Sequence, residues 1–352
     1  MPLVSVITPT YNSSKYIRET AEAILGQTLQ DFEWIIVDDC STDNTIDILK
    51  AYNDPRIKIF QNEKNRGIPY THNRLIELTT TNYIAIQDHD DISYPYRLET
   101  QYRFLKDNPG YIATASYADY IDSEGKPTSH RFLRKILRVL KLNLTNINGP
   151  EIPASLLFKN NFCHSTIMIN KQQLGDIRYD PELSICDDYG LLVKMAGRHP
   201  IFIGSKPVLK YRMHKSNTSL QRFAELQRDF NAIQGKYLKK LQVNATPEQL
   251  FIHNGYRNFM KNFVPGTGYL ENSIAWYRTL IQKNAENRAF EEKHLRKAIE
   301  LDWYERCLAC RKAGLRVVRS YYSNHFDNRA RTGKLPKSII LALSILFMRN
   351  DQ

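Results

Sequence analysis

The first hundred residues alternate short apolar segments with segments whose apolar residues recur at helical spacing. The apolar segments, which predict strands, are Val4–Thr8, Phe32–Val37, Ile57–Phe60 and Tyr83–Gln87. The helical patterns between them are Ile17–Leu25, Thr45–Tyr52 and Ile68–Leu78. This alternation predicts an α/β fold, with a mostly parallel sheet that helices cover on both faces. Ligands bind such sheets at the carboxyl ends of strands, so polar residues after the first, second and fourth strands should line one crevice.

The pattern changes twice in the rest of the chain. Residues 111–220 mix helical segments with four predicted strands, Tyr111–Tyr120, Ser165–Ile169, Ile201–Ile203 and Val208–Arg212. From residue 221 to the end the apolar residues recur at helical spacing only. We therefore place a domain boundary near residue 220.

Composition supports a folded chain, and its charge is unevenly placed. Of the 352 residues, 42% are hydrophobic and 11% aromatic, which builds a core and excludes a largely disordered chain. The formal charge is +12, but residues 1–100 carry −6, residues 101–219 carry +7 and residues 220–352 carry +11. A basic excess of this kind is typical of proteins that bind nucleic acid, an anionic membrane surface or another acidic partner.

Two segments bear on membrane contact. Arg131 to Leu142 places basic residues on one helical face and apolar residues on the other. Ser338 to Met348 is apolar but too short to span a bilayer, so it is expected to be a buried helix or to lie in a membrane interface. No run of eighteen apolar residues occurs, and the N-terminus reads as a strand rather than a signal peptide.

The five cysteines favour a reducing compartment, because they are few, odd in number and scattered. Cys307 and Cys310 form a lone CxxC within the helix-like stretch Leu301–Val318. A structural zinc site needs about four ligands, and no second ligand pair follows. We interpret both cysteines as ordinary helix residues.

Candidate chemistry comes from an acidic cluster rather than from a glycine-rich loop. No GxGxxG follows the first strand and no GxxxxGK[ST] occurs, which argues against a dinucleotide oxidoreductase and a P-loop NTPase. Asp88, Asp90 and Asp91 follow the fourth strand, and they repel one another unless a cation neutralises them. Mg²⁺ or Mn²⁺ prefers such oxygen ligands and can bridge carboxylates to a diphosphate. Bound there, the ion would stabilise a leaving nucleoside diphosphate.

Several ordered motifs in residues 1–220 resemble those of the family 2 glycosyltransferases. They are Val4 to Asn12 (VSVITPTYN), Ile36 to Asp43 (IVDDCSTD), Asn65 to Gly67 (NRG), Asn73, Gln87 to Asp91 (QDHDD), Phe162 to Thr166 (FCHST), Cys186 to Tyr189 (CDDY) and Tyr211 to His214 (YRMH). The resemblance implies a GT-A fold, an α/β, Rossmann-like nucleotide-binding architecture with a mixed, mainly parallel sheet flanked by helices. It divides the chain into a catalytic domain, 1–220, and a basic helical C-terminal region, 221–352. Within the catalytic domain, 1–110 would be the nucleotide-sugar-binding half and 111–220 the acceptor-side half.

The resemblance also implies residue roles. Asp188 is similar to the family's catalytic base, which takes the acceptor's proton in an inverting transfer. Asp88 and Asp90 would bind Mn²⁺ or Mg²⁺, with Asp90 the principal ligand. The donor-binding residues would be Thr8, Pro9, Tyr11, Asp39, Asn65, Gly67, Asn73, Asp88, Asp91 and His214. An aromatic ring such as that of Tyr11 suits a flat uracil.

Two positions depart from the family's pattern. The usual Glu-Asp pair is Asp187-Asp188 here, and the residue before Asn73, often Arg in the family, is His72. The second change removes a fixed positive charge at that point. His164 is interpreted either as an acceptor-side residue or as a structural one.

The implied activity is a metal-dependent, inverting hexosyl or N-acetylhexosaminyl transfer from a UDP-sugar to a saccharide or glycolipid acceptor. The later motifs most resemble bacterial enzymes that build lipooligosaccharide, capsule or similar surface glycans. The basic regions then favour an anionic membrane surface, with the protein cytoplasmic and peripheral at the inner face of the membrane. Nucleic acid is not an expected partner, because no zinc-finger, homeodomain or RNP signature occurs. The alternative is a non-catalytic glycan- or nucleic-acid-binding protein on the same fold, which the intact Asp88, Asp90 and Asp188 disfavour.

Overall fold

The computed structural model describes residues 1–128, 149–160, 162–254, 267–310, 315–324 and 326. Two compact units form within it. The first combines Met1–Gly149 with Asn161–Asp229, and the second combines Pro150–Asn160 with Phe230–Gln352. The functional division of the chain at residues 110 and 220 stays a prediction.

A mixed β-sheet forms the centre of the first unit. Its strands, in chain order, are β1 (Val4–Thr10), β2 (Phe32–Asp38), β3 (Ile57–Gln61), β4 (Tyr83–Ile86), β5 (Ile92–Ser93), β6 (Ala113–Ile121), β7 (Met168–Asn170) and β8 (Ile201–Arg212). The spatial order is β3-β2-β1-β4-β7-β6-β8-β5. Strands β1 to β4 are mutually parallel, as is the β6–β8 pair, whereas β7 and β5 pair antiparallel to their neighbours. The expected α/β fold with a mixed sheet is confirmed.

Helices cover both faces of this sheet. Those of the first unit are α1 (Ile17–Leu25), α2 (Thr45–Lys50), α3 (Ile68–Leu78) and α4 (Arg97–Asp107), and, after α5 of the second unit, α6 (Lys171–Leu174), α7 (Asp187–Ala196) and α8 (Thr218–Gln221). Because side chains alternate along a strand, Val4 and Val6 face the buried side of α1, in one cluster with Ile17. Helix α3 contacts β1 and β2 and buries Leu75. The core thus fixes the strand ends that carry the polar residues.

Three predicted strands differ from the observed ones. The segment predicted as Ser165–Ile169 is a 3₁₀ turn, His164–Thr166, followed by the short strand β7. The predicted break between Ile203 and Val208 is absent, and β8 runs through Gly204 and Pro207. A β-bulge allows a continuous strand to contain Pro207. The β6–β8 register shifts between Ser116 and Ala118, which leaves the proline outside the regular hydrogen-bond ladder.

The described part of the second unit is helical, as predicted. Its helices are α5 (Ile152–Leu156), α9 (Phe223–Leu238), which begins in the first unit, α10 (Pro247–Asn254), α11 (Thr267–Asn287), α12 (Glu292–Ala309) and α13 (Leu315–Ser323). Cys307 lies in α12 and Cys310 follows its last residue, and both side chains are buried. Buried Arg306 donates from Nε to Asp302 over 2.8 Å, which pairs two charges inside the helical core.

The two predicted membrane-contact segments, Arg131 to Leu142 and Ser338 to Met348, lie outside the described residues. Among the helices that are described, none combines the length and the apolar character that a membrane span requires.

A buried arginine anchors the loop that follows β4. Arg97, in the first turn of α4, is fully buried and donates to the Gln87 side chain over 2.8 Å and to the Ile86 carbonyl over 2.5 Å. Burial lowers the pKa of Arg97 to about 10, so the guanidinium still carries its charge at neutral pH. Gln101 on the same helix accepts from Nε over 3.1 Å. The α4 helix is therefore tied by a buried cation to the end of β4.

Arg97→Met should destabilise the chain by about 3–5 kcal/mol, because the substitution leaves several buried acceptors without a donor. Arg103→Met is the matched control on the same helix. Arg103 is exposed and pairs with Glu99 over 2.6 Å, so its loss should cost about 1 kcal/mol or less. Urea unfolding of both variants measures the difference, and equal costs would show that the buried network contributes no more than a surface ion pair.

Candidate functional site

The carboxyl ends of β1, β2 and β4 lie at one edge of the sheet, where the acidic loop, Gln87–Asp91, follows β4. Gln87 shapes this loop from within. Its amide nitrogen donates to the carbonyls of Asp88 and Asp91, both over 2.9 Å, and its oxygen accepts from Ser93 over 2.6 Å. Thr20 on α1 donates to the His89 carbonyl over 2.8 Å. The side chains of Gln87, Ser93 and Thr20 therefore fix the conformation of the acidic loop.

Asp90 is paired with a histidine. Its Oδ2 lies 2.8 Å from Nε2 of His214, whose Nδ1 lies 2.7 Å from the Ser216 hydroxyl. Burial opposes the charged carboxylate, but the hydrogen bond to His214 and the nearby His89 and His214 charges outweigh it, so the pKa of Asp90 lies below its ordinary value. Asp90 is therefore an anion held in a largely buried position, and the structure brings together two residues that the sequence assigned to the donor and metal site.

Asp91 has the opposite protonation preference. It is fully buried, and its Oδ1 accepts the Arg212 backbone N–H over 2.9 Å, while Oδ2 has no hydrogen-bond partner among the described residues. Burial, and then the charges of Asp90 and Asp88, raise the pKa of Asp91 well above its ordinary value. The acidic loop thus contains one carboxylate that stays charged and one that resists charging.

Arg212, at the end of β8, clamps the loop and was not singled out from the sequence. Its Nε donates to the Asp90 carbonyl over 2.9 Å, and its Nη2 donates to Glu19 of α1 over 2.9 Å. The guanidinium lies over the Tyr16 ring, 4.7 Å from the centroid. Its position in Tyr-Arg-Met-His is the one sequence signal for it. Arg212 thus fixes the backbone of the acidic loop and joins it to α1 through a buried guanidinium.

Asp39 follows β2 and organises the loop before α3. Its Oδ1 accepts from Asn62 and from the Arg66 backbone N–H, each over 2.7 Å, and its Oδ2 accepts from the Gly67 N–H over 2.8 Å. Gly67 has a φ of 85°, a conformation that suits glycine. A carboxylate offers about four lone-pair sites, so three protein donors leave room for one more. The structure thus joins Asp39 to Gly67, and the donor contact of both stays a prediction.

The other predicted donor residues have distinct surroundings. Thr8 is buried and accepts the Trp34 indole N–H over 2.9 Å, whereas the Tyr11 ring is 48% exposed. Pro9 is half-buried on the same strand, and Asn65 is exposed. The Asn73 amide exchanges two hydrogen bonds with the Tyr179 backbone, of 2.9 and 3.0 Å. Asn73 therefore positions the Tyr179 segment, and its direct donor contact stays a prediction.

Asp188 lies in the first turn of α7, half-buried, with Oδ1 2.6 Å from the Tyr189 N–H. Its neighbour Asp187 is buried and receives a contact from His72 on α3, with Nδ1 3.2 Å from Oδ2. The His72 ring stacks on Tyr179 at 4.6 Å and meets the His164 ring edge-on at 5.0 Å. The two positions that depart from the family's pattern, 72 and 187, thus touch each other.

His164 completes the connection from α7 to the acidic loop. Its Nε2 lies 2.8 Å from the Tyr179 hydroxyl, and its Nδ1 lies 3.9 Å from Asp88 Oδ1. Burial, and then the nearby His72, lower the pKa of His164 to about 4, so the ring is neutral at physiological pH. A series of side-chain contacts therefore runs from Asp187 through His72 and His164 to Asp88.

The acidic loop fits a hard divalent cation. Asp88 and Asp90 offer carboxylate oxygens, and their side chains are 30% and 13% exposed, so that a ligand can reach both. Oxygen donors of this kind are the ligands that Mg²⁺ and Mn²⁺ prefer. The donor set therefore suits the ion that the sequence predicts.

Comparisons with known proteins identify the family of this chain. The sequence model of Glycosyl transferase family 2 matches residues 5–174. An uncharacterized glycosyltransferase of Methanocaldococcus jannaschii is 31% identical over 232 residues, which cover 63% of this chain and 74% of that protein. This chain is a family 2 glycosyltransferase. TuaG of Bacillus subtilis, provisionally named for teichuronic acid biosynthesis, is 35% identical over 181 residues, covering 50% of this glycosyltransferase and 66% of TuaG.

Solved structures support the fold of this glycosyltransferase. TarS 1–349 of S. aureus in complex with UDP superposes with a TM-score of 0.52 at 22% identity, covering 88% of this chain and 91% of that one. The same protein in complex with UDP-GlcNAc gives a TM-score of 0.54 at 20% identity, covering 94% and 92%. The GT-A fold that the resemblance implied is confirmed.

Asp91→Asn should stabilise the metal-free glycosyltransferase, and the gain should grow as pH rises. Because the pKa of Asp91 is raised in the folded state, the unfolded chain ionises first, and folding stability falls from about pH 4 upward as far as the folded pKa. Asparagine keeps the acceptor for the Arg212 N–H and does not ionise. Thermal unfolding in EDTA between pH 4.5 and pH 8 measures the difference.

Asp107→Asn, which changes an exposed carboxylate at the end of α4, is the control and should show no such trend. A difference between Asp91→Asn and the unsubstituted protein that stays constant across this pH range would contradict the assignment of a raised pKa to Asp91.

Proposed function

We propose that this glycosyltransferase moves a sugar from a UDP-sugar to a saccharide acceptor with inversion at the anomeric carbon. The observation that carries the proposal is the contact series from Asp187 through His72 and His164 to Asp88, which ties the start of α7, and with it Asp188, to the acidic loop. Sugar transfer needs the groups that hold the donor's diphosphate close to the general base that deprotonates the acceptor hydroxyl. The acidic loop supplies the first, and Asp188 supplies the second.

The donor's uracil and ribose would lie against β1, β2 and the loop before α3. Asp39 keeps one lone-pair site open after its three protein donors, which suits one N–H of a uracil ring. The exposed Tyr11 ring offers a flat apolar face to the base. The TarS structures, which share this fold, contain UDP and UDP-GlcNAc, and this supports a UDP-sugar as the donor class.

Asp90 and Asp88 would hold a divalent cation, Mn²⁺ or Mg²⁺, with His214 orienting the Asp90 carboxylate. When bound, the ion supplies positive charge that neutralises the diphosphate as it leaves. Arg212 acts from the protein side, because its guanidinium fixes the Asp90 backbone and adds a second positive charge near the loop. Asp88 would also contact the donor's ribose, and we do not extend this contact to Asp91, whose side chain is fully buried.

Asp188 would act as the general base. It lies in the first turn of α7, where the helix dipole favours an ionised carboxylate, the form that accepts a proton. The acceptor hydroxyl gives its proton to Asp188 while its oxygen attacks the anomeric carbon. The bond from that carbon to the phosphate oxygen breaks with its electron pair, and UDP leaves. One displacement of this kind inverts the anomeric configuration.

The acceptor class that we favour is a growing bacterial surface glycan, through transfer of a hexose or N-acetylhexosamine. The teichuronic acid assignment of TuaG supports a cell-surface polysaccharide. The UDP-GlcNAc complex of TarS supports an N-acetylhexosamine donor as the first one to assay.

Asp188→Asn should lower the rate of sugar transfer by roughly 10²–10⁴-fold, because the amide cannot take the acceptor's proton. UDP binding should stay within a few-fold of the unsubstituted value. Transfer from UDP-GlcNAc and other UDP-sugars with Mn²⁺ present, followed by UDP release, is the measurement. Asp176→Asn is the control, since Asp176 is exposed and pairs only with Arg198 among the contacts described. If Asp188→Asn transfers sugar as fast as the unsubstituted protein, another residue is the base.

Asp90→Ala should abolish the dependence of UDP binding on Mn²⁺. Titration calorimetry of UDP, with and without the ion, should give a tighter dissociation constant with Mn²⁺ for the unsubstituted protein and equal constants for the variant. Asp107→Ala removes an exposed carboxylate and should behave as the unsubstituted protein. Metal-dependent binding that survives in Asp90→Ala would remove Asp90 from the metal site.

A further inference from the structure

Three side chains beside the acidic loop form a compact group of metal-ligating types. His72, Asp88 and His164 each offer one ligand atom, and these atoms lie within 4.8 Å of one another. The group comes from α3, from the acidic loop and from the 3₁₀ turn after Cys163. It is separate from the Asp90–His214 pair, which uses different atoms and different residues.

One nitrogen of His72 has no protein partner among the described residues. Nδ1 lies 3.2 Å from the Asp187 carboxylate, which accepts its proton and leaves the lone pair on Nε2. Nε2 is buried, and the whole side chain is only 3% exposed. A buried acceptor without a donor costs free energy unless something binds it. A cation that takes this lone pair removes that cost.

His164, like His72, has one ring nitrogen held by a protein oxygen and the other directed towards the proposed metal site. Its Nε2 lies against the Tyr179 hydroxyl at 2.8 Å, so that Nδ1 is the nitrogen that faces Asp88. The distance from Nδ1 to Asp88 Oδ1 is 3.9 Å, which is too long for a hydrogen bond. In a tetrahedral site with bonds of about 2.1 Å, ligand atoms lie roughly 3.4 Å apart, so this pair needs to close by only about half an ångström.

The second nitrogen of each histidine is held by an oxygen. Asp187 holds His72, and Tyr179 holds His164, while the Tyr179 ring also stacks on His72. Metal-ligating histidines almost always show this pattern, because the partner of the second nitrogen fixes the tautomer and the ring orientation. The cluster therefore has both the ligand atoms and the supporting contacts of a metal site.

We propose that His72, Asp88 and His164 bind a first-row transition-metal ion such as Zn²⁺ or Co²⁺ in the absence of nucleotide. Imidazole nitrogens favour these ions over Mg²⁺, and two histidines with one carboxylate leave coordination positions open. The ion also neutralises two neighbouring carboxylates, Asp88 and Asp187. This site shares Asp88 with the proposed Mn²⁺ or Mg²⁺ site and adds two histidines to it, but its occupation in the nucleotide-free protein does not depend on the donor or the acceptor.

The test titrates Co²⁺ alone into the full-length protein, with no nucleotide. We expect one ion per chain, with visible absorption bands typical of nitrogen and oxygen coordination. Anomalous diffraction at the cobalt edge should place the ion between His72 Nε2, His164 Nδ1 and the Asp88 carboxylate. An ion found at Asp90 instead, or no binding at millimolar Co²⁺, would overturn the proposal.

Asp88 belongs to both metal sites, so His164→Asn and Asp90→Asn are the substitutions that separate this site from the proposed Mn²⁺ or Mg²⁺ site. His164→Asn and Asp88→Asn should each weaken nucleotide-free Co²⁺ binding by at least tenfold, whereas Asp90→Asn and His199→Ala should leave it unchanged. His164→Asn avoids replacing the more deeply buried His72, and thermal unfolding checks that each variant folds. Loss in Asp90→Asn with retention in His164→Asn would assign the ion to the other site.

Tyr179→Phe tests the supporting contact. It keeps the ring that stacks on His72 and removes the hydroxyl that holds His164, so Co²⁺ affinity should fall by about 10–100-fold. Unchanged affinity would show that His164 is not a ligand oriented by Tyr179. Failure of sugar transfer with every UDP-sugar would count against the proposed function only, because none of these binding measurements uses a donor.

Discussion

The charge balance of the acidic loop is the constraint on which the rest of the first unit depends. Three carboxylates stand within four residues, Asp91 is fully buried, and like charges at this spacing repel strongly where water is scarce. Two buried guanidinium groups bind the backbone at this loop. Arg97 donates to the carbonyl at the end of β4, and Arg212, at the end of β8, donates to the Asp90 carbonyl. Burial and the neighbouring carboxylates also raise the pKa of Asp91 well above its ordinary value, which disfavours a third negative charge in the loop. The remaining negative charge, on Asp88 and Asp90, is left for a ligand to neutralise.

Each of these two carboxylates has its own histidine, and the two pairs are built differently. Asp90 accepts directly from His214 at 2.8 Å, an arrangement that fixes the carboxylate and holds it ionised. Asp88 lies 3.9 Å from His164, so no hydrogen bond joins them and room remains for something between them. The first arrangement orients an oxygen ligand, and the second resembles two ligands of one ion. Alternate residues of a single loop thus face different chemical surroundings.

The sequence predicted the elements and the acidic loop well because both depend on local pattern. Apolar segments gave β1 to β4 within two residues at each end, and α3 was predicted with its observed bounds. The β8 strand was divided wrongly, because glycine and proline read as a break and the bulge that accommodates them depends on pairing with β6. Arg97 gave no signal, and Arg212 was marked only by its place in the Tyr211 to His214 motif, since a buried arginine and an exposed one look alike in a sequence. The roles of Tyr11 and Asn65 at the donor stay predictions.

The contact between His72 and Asp187 shows how two departures from a family's pattern can have one physical explanation. In the usual pattern a long arginine stands at the first position and a long glutamate at the second. Here both side chains are shorter, and they touch, with 3.2 Å between Nδ1 and Oδ2. Removing either side chain would leave the other buried group without its partner, which is costly. The exchange also changes the chemistry, because arginine has no lone pair to offer, whereas a histidine tied at Nδ1 presents Nε2 as a ligand. The histidine that replaces a fixed positive charge at position 72 therefore offers a nitrogen that can bind a metal ion.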